Sequence, residues 1–281
     1  MIQHSYDKEY SNCFIVPTPI GNLKDMTFRA VDVLKSVDAI FAEDTRVTNN
    51  LLKNFDISNK VYQCQKFSEA KASITALELL KNKKNIAVVT DRGTPLISDP
   101  GSLLVQNIIK EGFNVIALPG ACAFLPALNM SNLDQDKFLF YGFLDSKEST
   151  SNAELEKLKS INFTIILYEA PHRLYKTLQK IYKILGNRQI SISREITKVY
   201  EEVFRGTVLE AIQKYENVKG EIVIVIEKNT NKTNYDELFK DVLELTQLGM
   251  TSKDAIKYVS KKNNVSKNIL YSMYEENKKW K

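Results

Sequence analysis

Short runs rich in Ile, Val, Ala and Phe recur along the first half of the chain, at residues 13–16 (CFIV), 37–41 (VDAIF), 86–90 (IAVVT) and 114–118 (NVIAL). Between them lie segments with apolar residues at helical spacing, at 23–35, 68–81 and 102–111. This alternation constrains the fold more than any other feature. A strand that is apolar at successive positions sends side chains to both faces of its sheet, so both faces must be covered. Helices that join parallel strands supply the cover, and the pattern predicts an α/β protein built on a parallel sheet.

A polar stretch at 129–137 (NMSNLDQDK) interrupts the pattern, and a second series of apolar runs follows at 138–143, 164–168, 189–194 and 221–226. The expected organisation is an N-terminal α/β domain over 1–130 and a second α/β domain over 131–229. Residues 228–234 (KNTNKTN) contain no apolar side chain and read as a linker. Beyond it the pattern predicts a helix over 235–248 with Gly249 as its C-cap. A second helix is opened by the capping-box spacing Thr251-x-x-Asp254 and ends near 263–264, and a last one, capped by Ser266, runs through 274. Residues 230–281 thus form a basic helical domain resembling a helix-turn-helix, with Lys257, Lys261, Lys262 and Lys267 near the turn.

Charge is distributed unevenly. The 281 residues carry 39 Lys and Arg against 34 Asp and Glu, and the whole excess of +5 lies in residues 250–281, where eight Lys face Asp254, Glu275 and Glu276. Residues 1–249 hold 31 charges of each sign. A neutral body with a basic tail suits a polyanion such as nucleic acid, and a solvated Lys-rich helix is the plain alternative. Cys13, Cys64 and Cys122 are odd in number and form no CxxC pair, and His4 and His172 are the only imidazoles, so neither a disulfide framework nor a metal centre is expected. The first residues lack the basic and apolar regions of a secretory signal, and the longest apolar stretch is broken by Pro119, Gly120 and Pro126. A reduced, cytoplasmic protein with no membrane partner follows.

Ligands of open α/β sheets bind beyond the carboxyl ends of the strands. Four such ends stand out here: PTPIGN at 17–22, EDTR at 43–46, DRGTP at 91–95 and PGACA at 119–123. Three of them use Gly and Pro to bring main chain close to a ligand of nucleotide type, although each alone is also an ordinary tight turn. The second series ends in YEAPHR (168–173) and in Arg194-Glu195. Glu169, Arg173, Arg194 and Glu195 can serve a site there, or simply form ion pairs. No dinucleotide fingerprint, P-loop or nucleophile elbow occurs.

In order and spacing, VPTPIGNLKDMTFRAVDVL, AEDTR, DRGTPLISDPG, LPGACA, YEAPHRLYKTL, SREITKVYEEVFRG and GEIVIVIE resemble the ribosomal RNA small-subunit methyltransferase I family of the tetrapyrrole methylase superfamily. The resemblance covers about 12–227 and extends to the helical tail. It implies a two-domain tetrapyrrole-methylase-like fold, with a parallel-sheet N-terminal domain, a mixed-sheet second domain and a small C-terminal helical domain. It implies S-adenosylmethionine folded into the cleft, a homodimer, and methylation of the ribose 2'-hydroxyl of a cytidine in the decoding region of 16S ribosomal RNA. Carried over by position, cofactor contacts fall on Ile20, Gly93, Thr94, Ile97, Cys122, Ala123, Tyr168 and Glu169. Candidates for the base are Asp44, Glu169 and His172. Arg46, Arg173, Arg194, Lys257, Lys261, Lys262 and Lys267 are the candidates for RNA. Arg92 departs from the family, which has a small residue there, and a guanidinium beside a sulfonium should turn toward Asp91, Asp99 or the RNA. Two other readings are a methylase of the same superfamily acting on a small molecule or protein, and an RNA-binding relative without catalysis.

Overall fold

The structure is a computed structural model, and it describes residues 2–4, 11–65, 67–230, 235–263 and 265–278. The chain divides into two compact units, Met1–Lys228 and Asn229–Lys281, and the first contains two sheets. Sheet one is parallel throughout, in the order β3-β2-β4-β1-β5. Its strands are β1 (Asn12–Ile15), β2 (Ala39–Ala42), β3 (Val61–Gln63), β4 (Ile86–Val89) and β5 (Asn114–Ala117). The connecting helices are α1 (Phe28–Ser36), α2 (Thr45–Asn54), α3 (Glu69–Lys81) and α4 (Ser102–Lys110), and α5 (Phe124–Met130) follows β5.

All residues of β2 and β4 are buried, as continuous apolar runs require. Alternate residues feed opposite faces. Phe41, Ile86 and Val88 pack with Ala76, Leu80, Leu104 and Ile108 of α3 and α4. On the other face Ile40, Ala42, Ala87 and Val89 pack with Ala30, Leu34 and Leu52 of α1 and α2. Right-handed crossovers account for this division. The chain moves one way across the sheet from β1 to β2 to β3 and returns the other way to β4 and β5, and the helices change faces where the direction reverses. The loops after β1 and β4, neighbouring strands whose connections leave in opposite directions, open the crevice of such a sheet.

Sheet two is mixed, in the order β6-β7-β10-β8-β9. It comprises β6 (Phe138–Phe143), β7 (Thr164–Glu169), β8 (Gln189–Arg194), β9 (Glu202–Thr207) and β10 (Ile222–Ile226). β6 and β7 are parallel, whereas β10 runs antiparallel to both β7 and β8. One face is covered by α6 (Glu148–Leu158), α7 (Pro171–Leu185) and α8 (Val208–Lys214). Against the other face lie Ala127 and Leu128 of α5, with Ile20 and Ile196, on Ile166, Val223 and Val225. Thus α5, which leaves the first sheet, packs on the second and joins the two.

Three details differ from the sequence reading. The segment 23–35 is a 3-10 turn (Leu23–Asp25) followed by α1, because the Thr27 hydroxyl accepts the Ala30 N–H at 3.1 Å and starts a new helix there. β3 and β9 carry no continuous apolar run because they are edge strands, with only intermediate and exposed residues. The last helix continues to residue 278 rather than 274. In the second unit α9 (Tyr235–Gln247), α10 (Ser252–Lys262) and α11 (Lys267–Lys278) enclose Val242, Ala255, Ile256, Val259 and Leu270. Gly249 has φ +97° after α9, and the Thr251 hydroxyl caps α10 by accepting the Asp254 N–H at 3.2 Å. Of the linker expected over 228–234, residues 231–234 lie outside the described residues.

Candidate active site

A cavity of about 710 Å³ opens at the carboxyl ends of β1, β4 and β5 and is closed by the loops and strand ends of sheet two. The first-sheet loops are locked to one another. Thr18 and Gly93 exchange both backbone hydrogen bonds, at 2.9 and 3.0 Å, and the Thr94 hydroxyl donates to the Ala121 carbonyl at 3.0 Å. Gly93 has φ +87°, and a Cβ there would meet Ile20 Cγ2 at 3.3 Å. A Cβ on Gly120 would come within 2.6 Å of the Pro17 ring. These two glycines are required by conformation and by close approach, which is the physical content of the PTPIGN, DRGTP and PGACA strings.

All eight positions assigned to the cofactor, Ile20, Gly93, Thr94, Ile97, Cys122, Ala123, Tyr168 and Glu169, line this one cavity. Tyr168 comes from β7, with its ring against Phe140 and Phe143 at centroid distances of 4.9 and 5.6 Å. Burial raises its phenol pKa.

The carboxylates named as bases are placed differently from one another. Glu169 is buried and its oxygens are engaged: Oε1 accepts the Ala170 N–H at 2.8 Å and Arg173 Nε at 3.2 Å, and Oε2 accepts the Thr177 hydroxyl at 2.5 Å. It ties β7 to the first turns of α7. Asp44 is the N-cap of α2 and does not line the cavity; it accepts the Arg46 N–H at 2.8 Å and pairs with the Arg46 guanidinium at 2.7 Å. That pairing pulls its pKa down to about 2, far below what proton abstraction from a hydroxyl needs. His172 is exposed on the first turn of α7, outside the lining.

The arginines expected at RNA are divided too. Arg46 is 87% exposed. Arg173 spends its guanidinium on Glu169 and on the Leu144 and Asp145 carbonyls, at 2.8 and 3.2 Å. Arg194 pairs with Glu202 at 3.0 Å and donates to the Lys219 carbonyl at 3.3 Å. For Arg173 and Arg194 the ion-pair reading therefore describes the structure. Glu195 likewise pairs with Lys198 at 2.8 Å. Lys257, Lys261, Lys262 and Lys267 are all exposed in the second unit.

Arg92 forms an ion pair with Glu221 from the edge of β10, a partner that none of the expected ones anticipated. Lys198 joins the same carboxylate at 2.9 Å and lies over Gly21, where a Cβ would meet its Cγ at 2.5 Å. Charges from both sheets thus close one rim of the cavity. Asp99 is the residue that sequence reasoning missed as a site group: it lines the cavity, and burial, followed by the nearby Glu43 and Asp91 charges, raises its pKa to about 6. The signal was present in DRGTPLISDPG as a second acid among turn residues. Among the described residues no group of three His, Cys, Asp or Glu is arranged to hold a metal ion, and no helix is long and apolar enough to cross a membrane.

Comparison with known proteins bears on this geometry. Residues 12–212 match the family model for tetrapyrrole (corrin/porphyrin) methylases. The chain is 43% identical over 271 residues to the ribosomal RNA small subunit methyltransferase I of Bacillus subtilis strain 168, covering 93% of each chain. To the protein of the same name from Halalkalibacterium halodurans it is 41% identical over 285 residues, covering 98% of this chain and 99% of the other. Among solved structures it is similar to the methyltransferase CobJ, with a TM-score of 0.60 at 16% identity, over 79% of this chain and 96% of that one. It is also similar to the uroporphyrin-III C-methyltransferase of Thermus thermophilus complexed with S-adenyl homocysteine, with a TM-score of 0.57 at 15% identity, over 77% and 97%. At these identities the structural likeness establishes the fold, two sheets of the tetrapyrrole methylase arrangement.

Proposed function

We propose, since this chain belongs to the tetrapyrrole (corrin/porphyrin) methylase family and within it to the ribosomal RNA small subunit methyltransferase I family, that it transfers a methyl group from S-adenosyl-L-methionine to the ribose 2'-hydroxyl of a cytidine in the decoding region of 16S ribosomal RNA. The observation that carries this reading is the convergence of all eight cofactor positions, drawn from four separate strand ends, on one cavity.

The residues present fit the cofactor. A volume of about 710 Å³ lies within the range of roughly 300–1,000 Å³ usual for small-molecule sites. Ile20, Ile97, Leu118 and Val223 offer apolar walls for a planar base, and main chain at Gly93 and at 120–123 comes close enough to offer polar groups. Asp99 lines the cavity with no ion pair among the described residues, and its ionised form favours a cation. When bound, the cofactor supplies an electrophilic methyl group on positively charged sulfur. The chain's own part is chiefly positioning, for which effective molarities reach ~10⁵ M or more. The zipped loops hold the apolar walls in place, and Arg92, directed onto Glu221, keeps its charge at the rim.

Exposed Arg46 and the lysines 257, 261, 262 and 267 are assigned to RNA phosphates. Arg173 and Arg194 are assigned instead to the framework. The protein acts in the cytoplasm as a homodimer in this reading; Phe28 and Val199, each 93% exposed, are apolar side chains that a second copy would cover. The test is incubation with labelled cofactor and 30S subunits lacking the modification, followed by mass mapping. Label is expected on a ribose 2'-oxygen of 16S RNA. Label in protein or a tetrapyrrole, with none in RNA, refutes the reading.

A further inference from the structure

We propose that Asp99 is the general base of the transfer, its carboxylate taking the proton of the ribose hydroxyl as the hydroxyl oxygen attacks the methyl carbon; this rests on the methyltransferase reading above. The O–H bond breaks and the proton passes to Asp99. The oxygen–carbon bond forms, and the carbon–sulfur bond breaks with its electron pair remaining on sulfur.

Three observations support Asp99 over the other acids. First, it is a lining carboxylate without a counter-cation: among the described residues it has no ion pair, whereas Glu221 holds Arg92 and Lys198 and Glu169 holds Arg173. Second, it is held by a group suited to receiving a proton. The Thr90 hydroxyl donates to Glu43 Oε2 at 2.9 Å and lies beside Asp99. A hydroxyl has one proton and cannot donate to two carboxylates at once. With both ionised, one lacks its donor; once Asp99 is protonated it donates to the Thr90 oxygen while Thr90 donates to Glu43, and the chain is complete. Third, the backbone places Asp99 deliberately, between Ser98 at φ +69° and Gly101 at φ +111°, in a turn that follows the loop carrying Gly93 and Thr94.

Glu43, Asp91 and, across the cavity, the Tyr168 phenol are the titratable groups that face Asp99, and the guanidinium that lines the cavity, Arg92, is spent on Glu221. Partial burial among acids raises its proton affinity toward the operating pH, where a base combines an ionised resting form with adequate strength.

The test compares wild type with Asp99→Asn, full length, on 30S subunits lacking the modification. At saturating cofactor the variant's single-turnover rate is expected to fall about 10²–10⁴-fold. Its affinity for S-adenosylhomocysteine, measured by calorimetry, should stay within about threefold. Wild-type rates should rise with pH through about 6 and then level off, and a labelled Asp carboxyl resonance titrating there should vanish in the variant. An Asp99→Asn rate within threefold of wild type, or a loss confined to cofactor affinity, overturns the assignment alone. Wild type that methylates no small-subunit RNA overturns the methyltransferase reading and Asp99's role with it.

Discussion

Replacing Glu169 by Ala separates a structural carboxylate from a catalytic one. In the folded chain its buried side chain, 1% exposed, serves the Ala170 N–H, the Thr177 hydroxyl and Arg173. Truncation leaves the Ala170 N–H and the buried Thr177 hydroxyl without their partner at the start of α7, at about 1–3 kcal/mol for each unsatisfied group. Arg173 keeps its bonds to the Leu144 and Asp145 carbonyls and is 26% exposed, so the loss of its counter-charge adds little. A total of about 2–6 kcal/mol follows. At about 2–4 °C per kcal/mol for a chain of this size, the melting temperature should drop about 4–24 °C. Glu169→Gln keeps the shape and an acceptor oxygen and should cost about 1–2 kcal/mol. Thermal and urea unfolding followed by circular dichroism measure both. A loss under 1 kcal/mol for Glu169→Ala would refute the structural role. A Glu169→Gln protein that is stable yet more than about 100-fold slower in single turnover would return Glu169 to the chemistry.

Asp44 has a folded-state pKa of about 2, below its ordinary value near 4, so its contribution is present above about pH 4 and disappears as pH falls through 2. Comparing the pH dependence of unfolding for wild type and Asp44→Asn should show the difference closing in that window; a difference that grows with acid refutes the assignment. Gly93→Ala places a Cβ at φ +87°, 3.3 Å from Ile20, and should cost about 1–2 kcal/mol while weakening S-adenosylhomocysteine binding by calorimetry. Changing Lys257, Lys261, Lys262 and Lys267 together to Ala should reduce the salt slope of RNA binding by about one per phosphate contact and leave cofactor affinity within about twofold. An unaltered slope in a filter-binding titration would make them solvated lysines.

Particular residues show why some of this was legible beforehand. β2 and β4 announce themselves because each buried residue on either face must be apolar, and the pattern along the chain is the pattern of the sheet. Gly93 and Gly120 mark where no side chain fits, so the loop strings also survive as readable text. β9 was silent because an edge strand keeps half its positions for solvent, and EVFRGT carries no run. Arg173 and Arg194 look like a functional pair in the sequence, yet their partners are backbone carbonyls and acids that approach only when the loops around them fold.

The sequence alone determined the parallel α/β frame, the second sheet, the helical basic tail and the strand ends that line the cavity, because these follow from local periodicity and local backbone demands. Only the tertiary structure decided which charges meet. Arg92 finds Glu221, Glu169 closes on Thr177, and Asp99 stands among Thr90, Glu43 and Asp91 without a cation. A side chain's proton affinity depends on desolvation and on charges within a few ångströms, and for Asp99 the Glu43 charge arrives from a distant part of the chain.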